Sequence, residues 1–133
     1  MSQFGIQRHG QSKTKSSGNG KRKIKFKDKR RSEIGNYFSA TKMSAETDTT
    51  KEVRRRGGSV TTVLKSAAFA NVLTKSGYKK AKIKGVTESQ DNRNFARQNI
   101  ITKGTIINTD LGKAKVTNRP GREGTVNARL MEG

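Results

Sequence analysis

The residues of this chain whose types and spacing could do chemistry are its lysines and arginines, and that chemistry is phosphate binding. Thirty of the 133 residues are Lys or Arg and ten are Asp or Glu, which gives a formal net charge of +20 and a pI near 11.0. A charge of this size opposes compact folding through self-repulsion unless a polyanion screens it. Nucleic acid is the natural polyanion, because each phosphate that a protein neutralises releases condensed counterions. Solubility alone would not call for so large an excess of cations.

The cations form clusters. Eight of the eleven residues at 21–31 are basic, and such blocks commonly act as nucleic-acid-binding arms. A second cluster is the arginine triplet at 54–56, which precedes two glycines that let backbone amides approach phosphate closely. The other two clusters are the alternating lysines of 79–84 and the two arginines of the loop 118–124. Cations at this density mostly contact phosphates, although a solvated surface is the alternative for each cluster. The candidate RNA-binding residues are Lys21, Arg22, Lys23, Lys25, Lys27, Lys29, Arg30, Arg31, Arg54, Arg55, Arg56, Lys79, Lys80, Lys82, Lys84, Arg119 and Arg122.

The residue inventory argues against an enzyme. His9 is the only histidine and there is no cysteine, so neither a Cys–His pair nor a zinc site of the usual kind can be built. The segment Gly-Asn-Gly-Lys at 18–21 lacks the first glycine of a phosphate loop, and Arg22 stands where that loop has Ser or Thr. We expect no catalytic residue, metal, cofactor or small-molecule substrate.

Aromatic residues that could stack on bases are scarce. Phe26, Tyr37, Phe38 and Tyr78 are the candidates, while Phe69 and Phe95 are expected in the core. The sequence therefore predicts recognition of phosphates and shape rather than of bases.

The chain divides into two unlike parts. Residues 1–45 are polar and low in apolar residues, and they predict a basic extension that is disordered when free and orders on RNA. Ile24 and Phe26 alternate with lysines there, as in a short strand or an extended tail with two anchors. A solvated tail without a fixed partner and a nuclear-targeting signal are alternatives. The longest uncharged run, 66–74, is too short to span a bilayer, and no signal peptide is expected.

Residues 46–133 predict a β-domain. β-prone stretches at 59–64, 69–73, 79–86, 105–108, 113–117 and 125–131 are separated by turn residues. Apolar and small residues alternate with lysines in 79–86, which indicates one buried and one cationic face. A short helix is expected at 91–98, with Asp91 as its N-cap. An all-β fold follows, with a small closed barrel of about six strands that removes its own edges.

The carboxyl-terminal part resembles one ribosomal protein family. The segments NIITKGTII at 99–107 and LGKAKVTNRPG at 111–121, with Val-Asn-Ala at 126–128, are similar to the signature of the archaeal and eukaryotic small-subunit family S8e. Further matches in the family's order are Arg-Gly-Gly at 56–58, Ala-Asn-Val-Leu at 70–73, Asn-Arg at 92–93 and Phe-Ala-Arg at 95–97. The likeness covers 52–131 and is looser in the basic half.

The resemblance implies a structural constituent of the small ribosomal subunit, with a β-barrel and a long basic extension on small-subunit ribosomal RNA. The implied partners are that RNA and neighbouring small-subunit ribosomal proteins, in the cytoplasm and without a membrane. The length resembles the short archaeal form. Two alternatives remain: a ribosome-assembly factor with the same barrel that leaves the mature particle, and a free-standing nucleic-acid-binding chaperone.

Overall fold

The computed structural model describes residues 38–131, which form eight β-strands and two short helices. The strands are β1 (Lys42–Met43), β2 (Thr49–Arg54), β3 (Val60–Ala67), β4 (Phe69–Thr74), β5 (Gly77–Glu88), β6 (Ile106–Thr109), β7 (Gly112–Val116) and β8 (Asn127–Leu130). The helices are α1 (Arg93–Arg97) and α2 (Pro120–Glu123), and a 3-10 turn at Arg56–Gly58 joins β2 to β3. The predicted all-β class is confirmed.

Five strands close into a barrel in the order β4-β5-β6-β7-β8. Four of the pairings are antiparallel, and the parallel pairing of β4 with β8, in register Val72↔Ala128, completes the ring. Closure leaves no unpaired edge in the ring, as expected for a small β-domain. The predicted closed barrel is confirmed, with five strands where about six were expected, because β3 lies outside it in a three-stranded sheet of order β1-β3-β2.

A corner at Ala68 carries the chain from the three-stranded sheet into the barrel. The Asp48 carboxylate accepts hydrogen bonds from the backbone N–H of Ala68 at 2.6 Å and of Phe69 at 3.3 Å. These bonds satisfy two amides at the point where the strand ladder breaks, which is the requirement for backbone groups removed from water. One side chain thus fixes where β3 ends and β4 begins.

The core follows the two-residue period of the strands. Ala81 and Ile83 of β5 are buried while Lys80, Lys82 and Lys84 are exposed, so the predicted buried and cationic faces of this strand are confirmed. Leu64 of β3 joins the barrel residues in one buried cluster, so the three-stranded sheet packs onto the same core. Apolar burial of this kind is the main favourable term in folding.

The predicted hairpin and the predicted short helix are both present, but the residue that caps the helix differs from the prediction. The hairpin predicted between 105–108 and 113–117 is β6–β7. The helix predicted at 91–98 is α1, but the prediction of Asp91 as its N-cap is wrong. Asn92 takes that position, with extended backbone and a side-chain oxygen that accepts from Asn94 N–H at 2.9 Å. Both residue types cap helices equally well, so sequence preference alone could not choose between neighbours.

The loop 118–124 contains α2, with Pro120 in its first turn and Gly124 left-handed at its end (φ 74°). A Cβ at Gly124 would lie 3.2 Å from Thr62 Cγ2, and one at Gly121 would lie 3.2 Å from Ser39 Cβ. These two glycines therefore allow α2 to pack closely on β3 and on the segment before β1.

The segment before β2 is also packed. Thr41 is buried and its hydroxyl donates to Leu64 O at 2.7 Å, while its backbone carbonyl oxygen accepts from Ile101 N–H at 2.8 Å.

Residues 1–37 lie outside the described residues, so the predicted division at residue 45 stays a prediction. In the described part of the chain, no helix has the length and apolar character needed to cross a membrane.

Candidate nucleic-acid interface

On the outer surface of the barrel, strands β5, β4, β8 and β7 present more basic than acidic side chains among the described residues. Alternation along each strand places one set of side chains outside, and the register aligns them from strand to strand. The described strands β4, β7 and β8 contain no Asp or Glu, and β5 has only Glu88, at its end. We define the basic face as these outward residues: Tyr78, Lys80 and Lys82 of β5; Phe69, Asn71 and Leu73 of β4; Asn127 and Arg129 of β8; Lys113 and Lys115 of β7.

One row of the basic face runs across four strands. Tyr78 is paired with Leu73, and Leu73 is paired in turn with Arg129. Arg129 lies directly opposite Lys115. Like charges in such a pair repel each other, and neither cation has an ion pair within the part of the chain that the structure describes. An arrangement that is unfavourable in the free protein becomes favourable when an anion lies between the two charges.

The second row consists of Lys80, Asn71 and Asn127, and Phe69, the partner of Lys82, lies diagonally next to Lys80. Asn71 Nδ2 donates to Asn127 Oδ1 at 3.2 Å across β4 and β8. Lys80 Nζ lies 4.5 Å from the centroid of the Phe69 ring, a cation–π geometry. Phe69, expected in the core, is half-buried on this outer face, because the inward positions of β4 are Ala70 and Val72.

An open groove of about 550 Å³ borders the first row. Three cations line it, Lys103, Lys115 and Arg129, together with the amide side chain of Gln90. The rest of the lining is Gly104, Val116, Thr117, Leu130 and Met131. Three positive charges around an open groove with no carboxylate in its lining favour an extended polyanion over a neutral ligand.

The lysines predicted on β5 differ in their surroundings. Lys79, Lys80, Lys82 and Lys84 are all exposed. Lys84 Nζ lies 3.0 Å from Asp110 Oδ1, an exposed pair that offsets part of its charge. Lys80 and Lys82 have no such partner among the described residues and belong to the basic face.

The predicted arginines lie away from these lysines in the fold. Arg54 ends β2, and Arg55 N–H donates to Ser59 O at 2.7 Å around the turn. Gly57 and Gly58 in that turn have φ of 82° and 84°, so glycine is required by the turn itself. Arg56 is exposed there, and Arg119 and Arg122 are exposed around α2, which packs on β3. The structure thus separates the arginine clusters, beside β3, from the lysines of the barrel.

The basic cluster from Lys21 to Arg31 lies outside the described residues. In the described part of the chain, no three His, Cys, Asp or Glu side chains lie close enough together to hold a metal ion.

The sequence interpretation did not include Lys103, Lys113, Lys115 or Arg129. The signal was present for three of them, since Lys-Ala-Lys at 113–115 and Ala-Arg-Leu at 128–130 alternate as 79–84 does. Alternation along one strand does not show which strand lies beside it. Only the closed barrel places the side chains of β7 and β8 next to each other and near those of β4 and β5.

Comparison with known proteins identifies relatives over most of the chain. The family model described as ribosomal protein S8e matches residues 8–131. "Small ribosomal subunit protein eS8" of Sulfurisphaera tokodaii is 47% identical over 115 residues, which cover 85% of this chain and 89% of the relative. The protein of the same name from Sulfolobus acidocaldarius is 45% identical over 122 residues, 86% of this chain and 94% of the relative. That of Hyperthermus butylicus is 43% identical over 126 residues, 93% and 91% respectively.

Proposed function

Since this chain belongs to the ribosomal protein S8e family, we propose that it binds small-subunit ribosomal RNA through phosphate and shape recognition. Its role in the small subunit is structural, and the family is one of ribosomal structural proteins rather than enzymes. The proposed partners are this RNA and the neighbouring small-subunit proteins, in the cytoplasm.

The basic face is the observation that carries the proposal. Its five cations are Lys80 and Lys82 of β5, Arg129 of β8, and Lys113 and Lys115 of β7. Neighbouring strands are about 4.8 Å apart, and the uncharged strand β4 lies between β5 and β8. Because the barrel already fixes their backbone, these residues can contact several phosphates at once with little further loss of backbone freedom. Phosphate contacts position a protein on RNA without reading its sequence.

The sequence-predicted cations extend the proposal beyond this face. Arg54, Arg55, Arg56, Arg119 and Arg122 would form a second contact beside β3. The basic cluster at 21–31 would form a third contact, which penetrates the RNA while the barrel docks on its surface. Each phosphate neutralised adds roughly 0.7 to 0.9 to the slope of log affinity against log salt.

The deciding experiment is mass spectrometry of ribosomal particles purified on gradients and washed in high salt. Near-stoichiometric recovery with mature small subunits is expected. Recovery with immature particles only would identify an assembly factor instead. Absence from both would refute the ribosomal proposal and leave a free nucleic-acid-binding protein.

A further inference from the structure

Tyr78 is the most exposed large hydrophobic side chain in the described part of the chain, at 73%. It lies on the basic face at the start of β5, and its cross-strand neighbour Leu73 is also exposed. An aromatic ring left in water at the end of a strand contributes little to the core. A partner with a flat apolar surface would gain from covering it.

The same row supplies cations at a short distance from the ring. Leu73 separates Tyr78 from Arg129, so the backbones of these two residues lie two strand spacings apart, roughly 10 Å across the sheet. Lys115 follows on the next strand, and both cations line the groove that also contains Lys103. The row therefore leads from an aromatic platform into a cationic groove.

We propose that this row binds an unpaired segment of RNA, with one base stacked on Tyr78 and the adjoining phosphates held by Arg129 and Lys115. The inference rests on the proposed function and names the kind of RNA that this part of the surface takes. Bases inside a duplex already stack on their neighbours, so only an unpaired base has a face free for the tyrosine ring. Every base has such a face, so the contact tolerates any sequence.

The charge of the row favours this occupant over an apolar protein segment. An apolar peptide would cover Tyr78 and Leu73 but would bring no charge for Arg129 and Lys115, which repel each other across β8 and β7. A nucleotide chain supplies both an aromatic surface for the Tyr78 ring and negative charge for the two cations, since each nucleotide carries one base and one phosphate.

Tyrosine fluorescence can report on this contact directly. The chain has two tyrosines, Tyr37 and Tyr78, and no tryptophan. In a full-length Tyr37→Phe background, Tyr78 becomes the single intrinsic fluorophore. A short oligouridylate is expected to quench it, whereas an abasic sugar–phosphate oligomer of equal length and a blunt duplex RNA should bind without comparable quenching.

Affinity measurements give the second readout. Tyr78→Ala is expected to weaken oligouridylate binding roughly 5- to 150-fold, the equivalent of ~1–3 kcal/mol for one stacked base. Tyr78→Phe, which keeps the ring, should bind within about twofold of the wild type. Leu111→Ala is the matched control, because Leu111 is an exposed apolar residue (42%) outside the row and its loss should not change affinity.

The outcomes separate this inference from the proposed function. Equal quenching by the abasic oligomer, or unchanged affinity in Tyr78→Ala, would overturn the stacking contact while RNA binding itself stands. RNA binding that leaves Tyr78 fluorescence unchanged would also overturn the stacking contact. Failure of the wild type to bind any of these RNAs at moderate salt would instead refute the proposed function.

Discussion

Replacing Lys115 by glutamine is expected to stabilise the free protein and to weaken its binding to RNA. Lys115 lies directly opposite Arg129 in the antiparallel pairing of β7 with β8, and both side chains are exposed. Residues so placed have Cβ atoms about 4.5–5.5 Å apart, and like charges there are destabilising by an amount on the order of 0.2–1 kcal/mol. Coulomb's law in water gives at most ~0.8 kcal/mol, the value for unit charges about 5 Å apart without salt, because the two flexible side chains can carry their charges further apart.

The repulsion energy between Lys115 and Arg129 is large enough to change the melting temperature measurably. For a domain of this size, 1 kcal/mol corresponds to a shift of about 4–8 °C, so Lys115→Gln should melt roughly 1–6 °C higher at low salt. The gain should fade in about 1 M salt, where the Debye length is only ~3 Å. On RNA the sign reverses, because one phosphate contact is lost and the salt slope falls by roughly 0.7.

Lys51→Gln supplies the matched control. Lys51 is exposed on β2 and its cross-strand partner is Val63. The substitution therefore removes one positive charge, as Lys115→Gln does, but relieves no repulsion between paired like charges. The assays are thermal denaturation by circular dichroism and RNA titration at several salt concentrations. If Lys115→Gln melts no higher than Lys51→Gln, the repulsion argument is wrong. An RNA salt slope equal to that of the wild type would remove Lys115 from the interface.

Three further predictions concern packing and the extension. Gly124→Ala should lower the free energy of unfolding by roughly 1–3 kcal/mol in urea denaturation, because φ is 74° and Thr62 Cγ2 lies 3.2 Å from the added Cβ. Gly85→Ala is the control and should cost far less, because no atom lies within 4 Å of its added Cβ. Ile107→Ala should cost about 2–5 kcal/mol in the same assay, because this side chain is fully buried in the core cluster; a cost below that of Gly85→Ala would contradict the core assignment. Deleting residues 1–31 removes eleven of the thirty basic residues and should weaken RNA binding and flatten its salt dependence, and an unchanged slope would refute a role for the extension.

The local features of the barrel could be predicted from the sequence because they depend on neighbouring residues. Alternation of apolar and basic residues in 79–86 identified a strand with one buried face, since successive side chains of a strand point to opposite sides. Asp-Leu-Gly at 110–112 identified a hairpin, and Gly112 indeed has φ of 122°. The capping residue of α1 was misplaced by one position, because Asp91 and Asn92 have the same chemistry and only the backbone distinguishes them.

The partition of strands between barrel and sheet could not be predicted. The stretch at 59–64 has the same β-branched character as the barrel strands, yet β3 pairs with β1 and β2. The Asp48 hydrogen bonds lie at the corner between the two sheets, and nothing in the local sequence pattern predicts them. The ion pair of Lys84 with Asp110 is likewise a product of the fold, since these two residues are 26 positions apart along the chain.

The sequence by itself determined that this protein is strongly cationic, built of short strands and a member of a recognisable family, because composition, periodicity and motif order are properties of the chain alone. Only the tertiary structure decided which cations lie next to one another. Tyr78, Leu73, Arg129 and Lys115 come from four strands, and they form one row because β4 pairs with β8 when the barrel closes. Alternation fixes the face on which a side chain lies, whereas ring closure and register fix its neighbours across the sheet.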